Sequence, residues 1–188
     1  MKAEIRKQIL EKRNSLLEEE VNKKSGLIKE RLFSLEEFRQ ADSVLFYVDF
    51  GNEVRTREMM DYSVKLGKTV IIPYVKDDRI ELSVFGDFSE LEKGRFGILE
   101  PRKEFIREYN GSIDLVIVPG IAFGPRGYRI GFGGGFYDRL LSEERFKDSV
   151  KVALAYGFQV IEKIPDEGHD VKVDKIITEE RVISCNTS

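Results

Sequence analysis

Apolar and polar positions alternate along the chain in a way that divides it into successive helices and strands. Residues 2 to about 19 contain no Gly or Pro and are rich in helix formers, which predicts an opening helix. At about 100° per residue, Ile5, Ile9 and Leu16 share one stripe. Lys2, Arg6 and Arg13 fall within about 100° of that stripe, whereas an ordinary surface helix keeps its charges on the far side. Such cations either hold an anion or extend their stems past the apolar face to water. Lys7, Lys12, Lys23 and Lys24 read as solvated charges. A second helix is predicted over 20–39, with Gly26 as its candidate break.

Residues 43–48 form a strong strand signal, followed by a polar loop over 49–54 in which Asp49, like Asp42 before the strand, reads as a turn residue. Thr56 is placed to cap a helix running to about Leu66, with Gly67 at its C′ position. The next strand, 69–72, is expected to stop at Pro73. Extended segments around 80–85 and 96–99 suit a flap or edge hairpin. Buried strands are expected over 113–118 and 151–155, a helix from 136 to about 146, and short final strands over 176–178 and 181–184. Strands alternating with helices predict an α/β fold of three layers, α/β/α, around a largely parallel, Rossmann-like open sheet. Ligands of such sheets bind beyond the carboxyl ends of the strands. The loops after Val48, Val118 and Ala155 then line one edge and bring Glu53, Gln159 and the stretch after Val118 together.

Composition narrows the class. The 188 residues suit one domain, 1–188, with 41% apolar and 35% charged residues. A net charge of −3 argues against a nucleic-acid partner. No apolar run approaches membrane length, the start lacks a signal peptide's apolar core, and the single Cys185 precludes an internal disulfide. The expectation is a cytoplasmic monomer with no membrane partner.

The densest chemical signal is the stretch 119–138, PGIAFGPRGYRIGFGGGFYD, which holds seven of the sixteen glycines. It joins an apolar strand to a helix start. Backbone N–H groups and a helix N-terminus in that setting attract anions, and Gly131, Gly133, Gly134 and Gly135 let a phosphate approach. Arg126 and Arg129 add cationic donors. The stretch lacks the Gly-Lys-Ser/Thr of a P-loop and the third glycine of a dinucleotide fingerprint. The plainer alternative is a surface loop that needs glycine for its turns. Asp138, in the first helical turn, either complements the helix dipole or binds Mg²⁺ beside phosphates. Asp170 and Asp174 both qualify as a second carboxylate. His169, the only histidine, has no zinc-site partner and reads as solvated. Glu53 reads as a ligand holder or as a polar loop residue.

These residues also carry a family resemblance. Val118-Pro119-Gly120-Ile121-Ala122-Phe123, Gly127-Tyr128-Arg129, and the run from Gly131 to Arg139 ending Phe136-Tyr137-Asp138-Arg139 resemble the signature of 5-formyltetrahydrofolate cyclo-ligases. Lys2-x-x-Ile5-Arg6, Glu53-Val54-Arg55-Thr56, Gly97-Ile98-x-Glu100-Pro101 and Pro165-x-x-x-His169-Asp170-x-x-Val173-Asp174 extend it over nearly the whole chain. Gly124 departs from it, where many members have Asp. The resemblance implies an ATP- and Mg²⁺-dependent enzyme that converts 5-formyltetrahydrofolate to 5,10-methenyltetrahydrofolate, ADP and phosphate. It implies that Lys2, Arg6 and the segment Arg129, Ile130, Gly131, Phe132, Gly133, Gly134, Gly135, Phe136 and Tyr137 hold ATP. Arg129 and Tyr137 serve catalysis, and Asp138 and Asp174 hold Mg²⁺. Val48, Glu53, Phe132 and Tyr137 contact the folate. The architecture alone also admits a sugar-phosphate isomerase, an acyl-CoA transferase or a non-catalytic nucleotide- or folate-binding protein.

Overall fold

The computed structural model describes residues 1–185. Helices α1 (Lys2–Asn14), α2 (Glu18–Ser34) and α3 (Glu36–Gln40) precede strand β1 (Ser43–Leu45). Helix α4 (Arg57–Lys65) leads into β2 (Thr69–Lys76) and β3 (Arg79–Val84), and a two-stranded ribbon follows, β4 (Leu91–Lys93) with β5 (Leu99–Pro101). Strand β6 (Leu115–Val118) runs into a second ribbon, β7 (Ala122–Phe123) with β8 (Arg129–Ile130). Then come α5 (Phe136–Leu141), β9 (Val150–Leu154), β10 (Lys175–Ile177) and β11 (Val182–Ser184).

The main sheet has the order β11-β10-β9-β6-β1-β2-β3. Its five inner strands are parallel, and only the edges β11 and β3 are antiparallel. Side chains alternate between two cores, as the period of a strand requires. Val44, Leu115, Ile117, Val152 and Leu154 face α2, α3 and α4 with Ile28, Leu32, Phe38, Met59 and Met60. Leu45, Val116, Val118, Ala153 and Ile176 face Leu140, Leu141 and Phe146 on the other side. The three-layer α/β/α expectation therefore holds, with strands apolar on both faces as parallel sheets require.

Helix α1 belongs to neither layer. Its Ile9 packs with Ile121, Ala122, Ile130 and Ile164, on the β7–β8 ribbon beyond the sheet's carboxyl edge. The inward stripe of α1 thus meets the glycine-rich stretch, which explains why that stripe carries cations.

Several local expectations change. α1 ends at Asn14, earlier than the expected 19, and α2 runs unbroken through Gly26 to Ser34 before a turn starts α3. Strand β2 continues through Pro73 to Lys76. Pro73 lies beyond Ile71, the last residue paired with β1, and opposite Leu82 of β3. The Phe85 N–H donates to Val70 O, so ladder alternation puts Pro73 at a position that needs no donor. Segments 80–85 and 96–99 do not pair with each other: the first is the edge strand beside β2, and the second turns back on β4. Helix α5 stops at Leu141, with a separate 3₁₀ turn at Glu144–Phe146. The stretch 119–138, read as one long loop, contains the β7–β8 hairpin.

The loop after β1 is tied by a buried knot. Thr56 starts α4 but makes no side-chain cap. Its Oγ1 instead donates to Tyr47 O at 2.8 Å and accepts the Asp49 N–H at 3.2 Å. Asp49, expected as a turn residue, is only 5% exposed, and its Oδ1 accepts the Thr56 N–H at 3.0 Å. Arg55 and Arg57 balance its charge at 3.4 and 3.7 Å. Thr56→Val keeps the shape but removes a buried donor and acceptor, so we expect a loss of about 1–3 kcal/mol in urea unfolding. A loss below about 0.5 kcal/mol would show that the hydroxyl does not hold the loop.

Candidate active site

The carboxyl ends of β1, β6 and β9 open onto a narrow crevice lined by Arg13, Tyr47, Glu53, Pro119, Gly120 and Gln159. The expected meeting of Glu53, the glycine-rich stretch and Gln159 is therefore present. Gln159 itself is structural. Its side chain bonds the carbonyl of Ile121 at 2.9 Å and the amide of Tyr156 at 2.9 Å, fixing two of the loops that meet there. Val48 lies in the core beneath, 2% exposed.

Glu53 is 9% exposed, and one carboxylate oxygen accepts the Phe50 N–H at 2.8 Å. Burial lifts its carboxyl from the ordinary 4.5 to about 7, against the Phe50 hydrogen bond and the nearby Arg13. Arg13 is 5% exposed, and its guanidinium lies 5.9 Å over the Phe132 ring. Asn52 holds it there by donating to Arg13 O and Leu16 O, which caps the end of α1. The sequence placed Arg13 beside the inward stripe without assigning it a ligand; its seven-residue spacing from Arg6, nearly two helical turns, was the available signal.

The phosphate-facing candidates gather around the glycine-rich stretch. Arg6 Nε donates to Gly131 O at 2.7 Å. Gly133 has φ +109°, a conformation closed to ordinary side chains, and Gly135 begins α5 in the left-handed region at φ +67°. Ile130 is core, and its carbonyl accepts the Ile121 N–H at 2.7 Å. Gly124 closes the β7–β8 turn by donating to Tyr128 O, and a side chain there would crowd Ile164 at 3.1 Å. Phe132 is 61% exposed, while Phe136 meets Phe96 of the β4–β5 turn edge-on at 6.3 Å.

Arg129 is buried and pairs with Asp138 Oδ1 at 3.1 Å. Burial draws its pKa down from the usual range, while Asp138, Tyr137 and Asp170 support its charge. The Tyr137 hydroxyl is pushed up by burial and then by Glu53, with Arg129 opposing. Among the described residues, four buried side-chain polar atoms have no partner, and three of them are Arg13 Nε, Arg129 Nε and Tyr137 OH. Buried polar atoms are normally satisfied; of these three, Arg13 lines the crevice, and Tyr137 lies close enough to Glu53 and Arg129 to feel their charges.

The carboxylates divide differently from the sequence expectation. Asp138 Oδ1 takes both Arg129 and the Val171 N–H at 3.2 Å, leaving Oδ2 for another partner. That contact draws neighbouring Asp170 to the site, where Lys2 lies 3.6 Å from its Oδ2 and 3.2 Å from Glu167. Asp174, expected as the second metal ligand, stands immediately before the start of β10. Its Oδ2 accepts the Lys151 N–H at 2.8 Å and ties the start of β10 to β9. His169 is exposed, as expected, 3.2 Å from Glu167.

Fold and site together define an α/β protein with a glycine-rich loop and a crevice that bears a buried carboxyl at the carboxyl ends of its strands. The sequence profile of the 5-formyltetrahydrofolate cyclo-ligase family matches residues 1–179. A probable 5-formyltetrahydrofolate cyclo-ligase from Caenorhabditis elegans is 28% identical, over 100% of this chain and 97% of its own. The 5-formyltetrahydrofolate cyclo-ligase of Haemophilus influenzae is 29% identical over 93% and 95%. The solution structure of Aquifex aeolicus 5,10-methenyltetrahydrofolate synthetase shares 38% identity and a TM-score of 0.87, covering 100% of this chain and 94% of that one. The chain belongs to the 5-formyltetrahydrofolate cyclo-ligase family. No helix among the described residues is long and apolar enough to cross a membrane.

The raised carboxyl of Glu53 has a consequence for stability. The folded state retains a proton that the unfolded chain releases between pH 4.5 and about 7. The stabilisation is complete below pH 4.5 and is lost as pH rises through about 7. Relative to Glu53→Gln, the ligand-free protein should lose up to about 3 kcal/mol over that window. Urea unfolding of both proteins at pH 5 and pH 8 measures it; parallel curves would mean that Glu53 is ionised throughout.

Proposed function

We propose that this chain is an ATP-dependent cyclo-ligase that closes 5-formyltetrahydrofolate to 5,10-methenyltetrahydrofolate with release of ADP and phosphate. The observation that supports this reading is a crevice that holds the buried carboxyl of Glu53 and the unpartnered Arg13, with the unpartnered Tyr137 of the glycine-rich stretch close enough to feel the charges of Glu53 and Arg129. Family membership sets aside the isomerase and acyl-CoA transferase readings, which shared only the architecture.

A formyl group on nitrogen is a poor electrophile because the nitrogen donates into the carbonyl. Transfer of the γ-phosphoryl group to the formyl oxygen gives that oxygen a leaving group. The second folate nitrogen then attacks the formyl carbon, the carbon–oxygen bond breaks, and phosphate departs. Such chemistry calls for positioning and charge neutralisation more than for proton transfer. Lys2, Arg6 and Arg129 supply the cations, and the backbone of Gly131 to Gly135 supplies a surface a phosphate can approach. Asp138 and Asp170 would hold Mg²⁺, which would supply charge neutralisation at the phosphates. Arg129 and Tyr137 act at the reacting oxygens. Glu53 receives the pterin's N–H donors, and binding them favours its ionised form. Phe132 stacks on the ligand's rings.

The decisive assay follows the absorbance of the methenyl product and the release of phosphate. We expect product only with both ATP and 5-formyltetrahydrofolate, one phosphate per ring closed. Nucleotide-independent turnover overturns the cyclo-ligase reading, and ATP binding without folate-dependent phosphate release favours a non-catalytic protein.

The metal assignment is tested separately. Asp138→Asn and Asp170→Asn should raise the Mg²⁺ concentration for half-maximal rate at least about tenfold and leave the melting temperature near wild type. Asp174→Ala should do the reverse, lowering the melting temperature with an unchanged Mg²⁺ titration, because it removes a sheet hydrogen bond. The opposite pattern restores Asp174 as the ligand.

A further inference from the structure

The proposed chemistry employs Lys2, Arg6 and Arg129 and leaves a fourth cation, Arg13, without a task. Arg13 lines the crevice, is buried, and has no partner for its Nε. It stands in the last turn of α1, seven residues after Arg6 and so on nearly the same side of the helix. Its backbone is pinned. Asn52 donates to Arg13 O at 2.9 Å, and the Asn52 carbonyl accepts the Tyr156 hydroxyl at 2.9 Å. The guanidinium lies 5.9 Å over the Phe132 ring and close enough to Glu53 for its charge to favour the ionised carboxyl.

The other polar side chains of the crevice are already engaged. The Tyr47 hydroxyl donates to Val54 O at 2.9 Å. Gln159 uses its amide nitrogen on Ile121 O and its oxygen on the Tyr156 N–H. Glu53 gives one oxygen to the Phe50 N–H. The second carboxylate oxygen of Glu53 and the donors of Arg13 remain for a ligand. A guanidinium carries five N–H donors in a planar fork and no acceptor. An acceptor set beside such a fork fits a heterocycle edge on which N–H groups adjoin a carbonyl oxygen. The pyrimidinone edge of a pterin has that order: an amino group, a ring N–H, then the 4-oxo oxygen. With its two donors on Glu53, the 4-oxo oxygen beside them needs a donor, and Arg13 is the one left. An amino group in place of that oxygen would set donors against donors and leave the buried guanidinium unpaired.

We propose that Arg13 is a specificity-determining residue: its guanidinium donates to the 4-oxo oxygen of the pterin and thereby selects 4-oxo over 4-amino ring systems. The proposal rests on the folate reading of the Glu53 crevice. It gives α1 two roles two turns apart, Arg6 at the glycine-rich stretch and Arg13 at the ring.

The test measures binding by calorimetry at pH 8, above the Glu53 carboxyl, with Mg²⁺ and a non-hydrolysable ATP analogue so that no turnover occurs. The two ligands are 5-formyltetrahydrofolate and its counterpart with a 4-amino group in place of the 4-oxo oxygen. The wild type should bind the 4-oxo compound at least about tenfold more tightly. Arg13→Met should weaken that compound about tenfold or more and change the 4-amino compound less than about threefold, so that discrimination collapses. Arg13→Lys keeps the charge beside Glu53 without the planar fork, and discrimination should fall there too. It also serves if the methionine variant fails to fold. Undiminished discrimination in either variant, at a wild-type melting temperature, overturns the proposal. Equal weakening of both compounds makes Arg13 a counter-charge for Glu53 and overturns it as well. A wild type that binds both compounds equally overturns the role of Arg13 and leaves the folate reading standing. A wild type that binds neither removes the folate reading and this proposal with it. Collapsed discrimination in the variants supports the assignment even if the ring-closure assay fails.

Discussion

Ile9 of α1 lies against Ile121, Ala122 and Ile130, and through that small apolar contact three cations come to border a loop made mostly of glycine. A glycine-rich loop cannot hold its own shape, since the freedom that admits a phosphate also admits many other conformations. Here the loop is held from two directions. Arg6 grips Gly131 O from α1, and Arg139 grips Gly134 O from α5. Burial of an isoleucine contributes about 1.5–3 kcal/mol, enough to seat the helix but small beside the order it confers on the site.

The charged groups behind the loop are kept in an unfavourable state. Arg13, Glu53, Arg129 and Tyr137 are all buried or nearly so, and three of them keep unpartnered atoms. An apolar replacement would stabilise the empty protein. Their retention makes sense when the ligand supplies the missing partners, because donors fixed in a dry crevice need no reorganisation when the ligand arrives. The Asp49–Thr56 knot and the Asn52 cap provide the rigidity this requires, since each uses side chains to fix backbone that no ladder holds.

Much of the layer structure was legible because strands buried on both faces read as continuous apolar runs, as in 115–118 and 152–155. The hairpin inside the glycine stretch was hidden because β7 and β8 have two residues each, too few for any period to appear. Pro73 misled because its tolerance depends on where the neighbouring strand ends, which is a tertiary fact. The site divides along the same line. The positions of Lys2, Arg6 and Glu53 at the glycine-rich stretch and the crevice were legible from helical position and motif. The different surroundings of Asp170 and Asp174 were not, because four residues of spacing do not reveal that the Lys151 amide, 23 residues away, bonds one of them. Asp49 and Thr56 looked like ordinary turn and cap residues, and only the buried contact between them shows otherwise.

The distance in sequence between α1 and its partners sets an order of assembly. Arg6 waits for Gly131, 125 residues further on, and Lys2 for Glu167, 165 residues further on. Contacts so far apart carry a large loop-closure cost and form late. Helix α1 is therefore among the last elements to dock, and until then its cations and apolar stripe stand in solvent. A nascent or partly unfolded chain can hold its parallel sheet and still have no nucleotide site. Binding competence then becomes a late checkpoint of folding, and a nucleotide that binds only the docked state draws the chain toward completion by mass action.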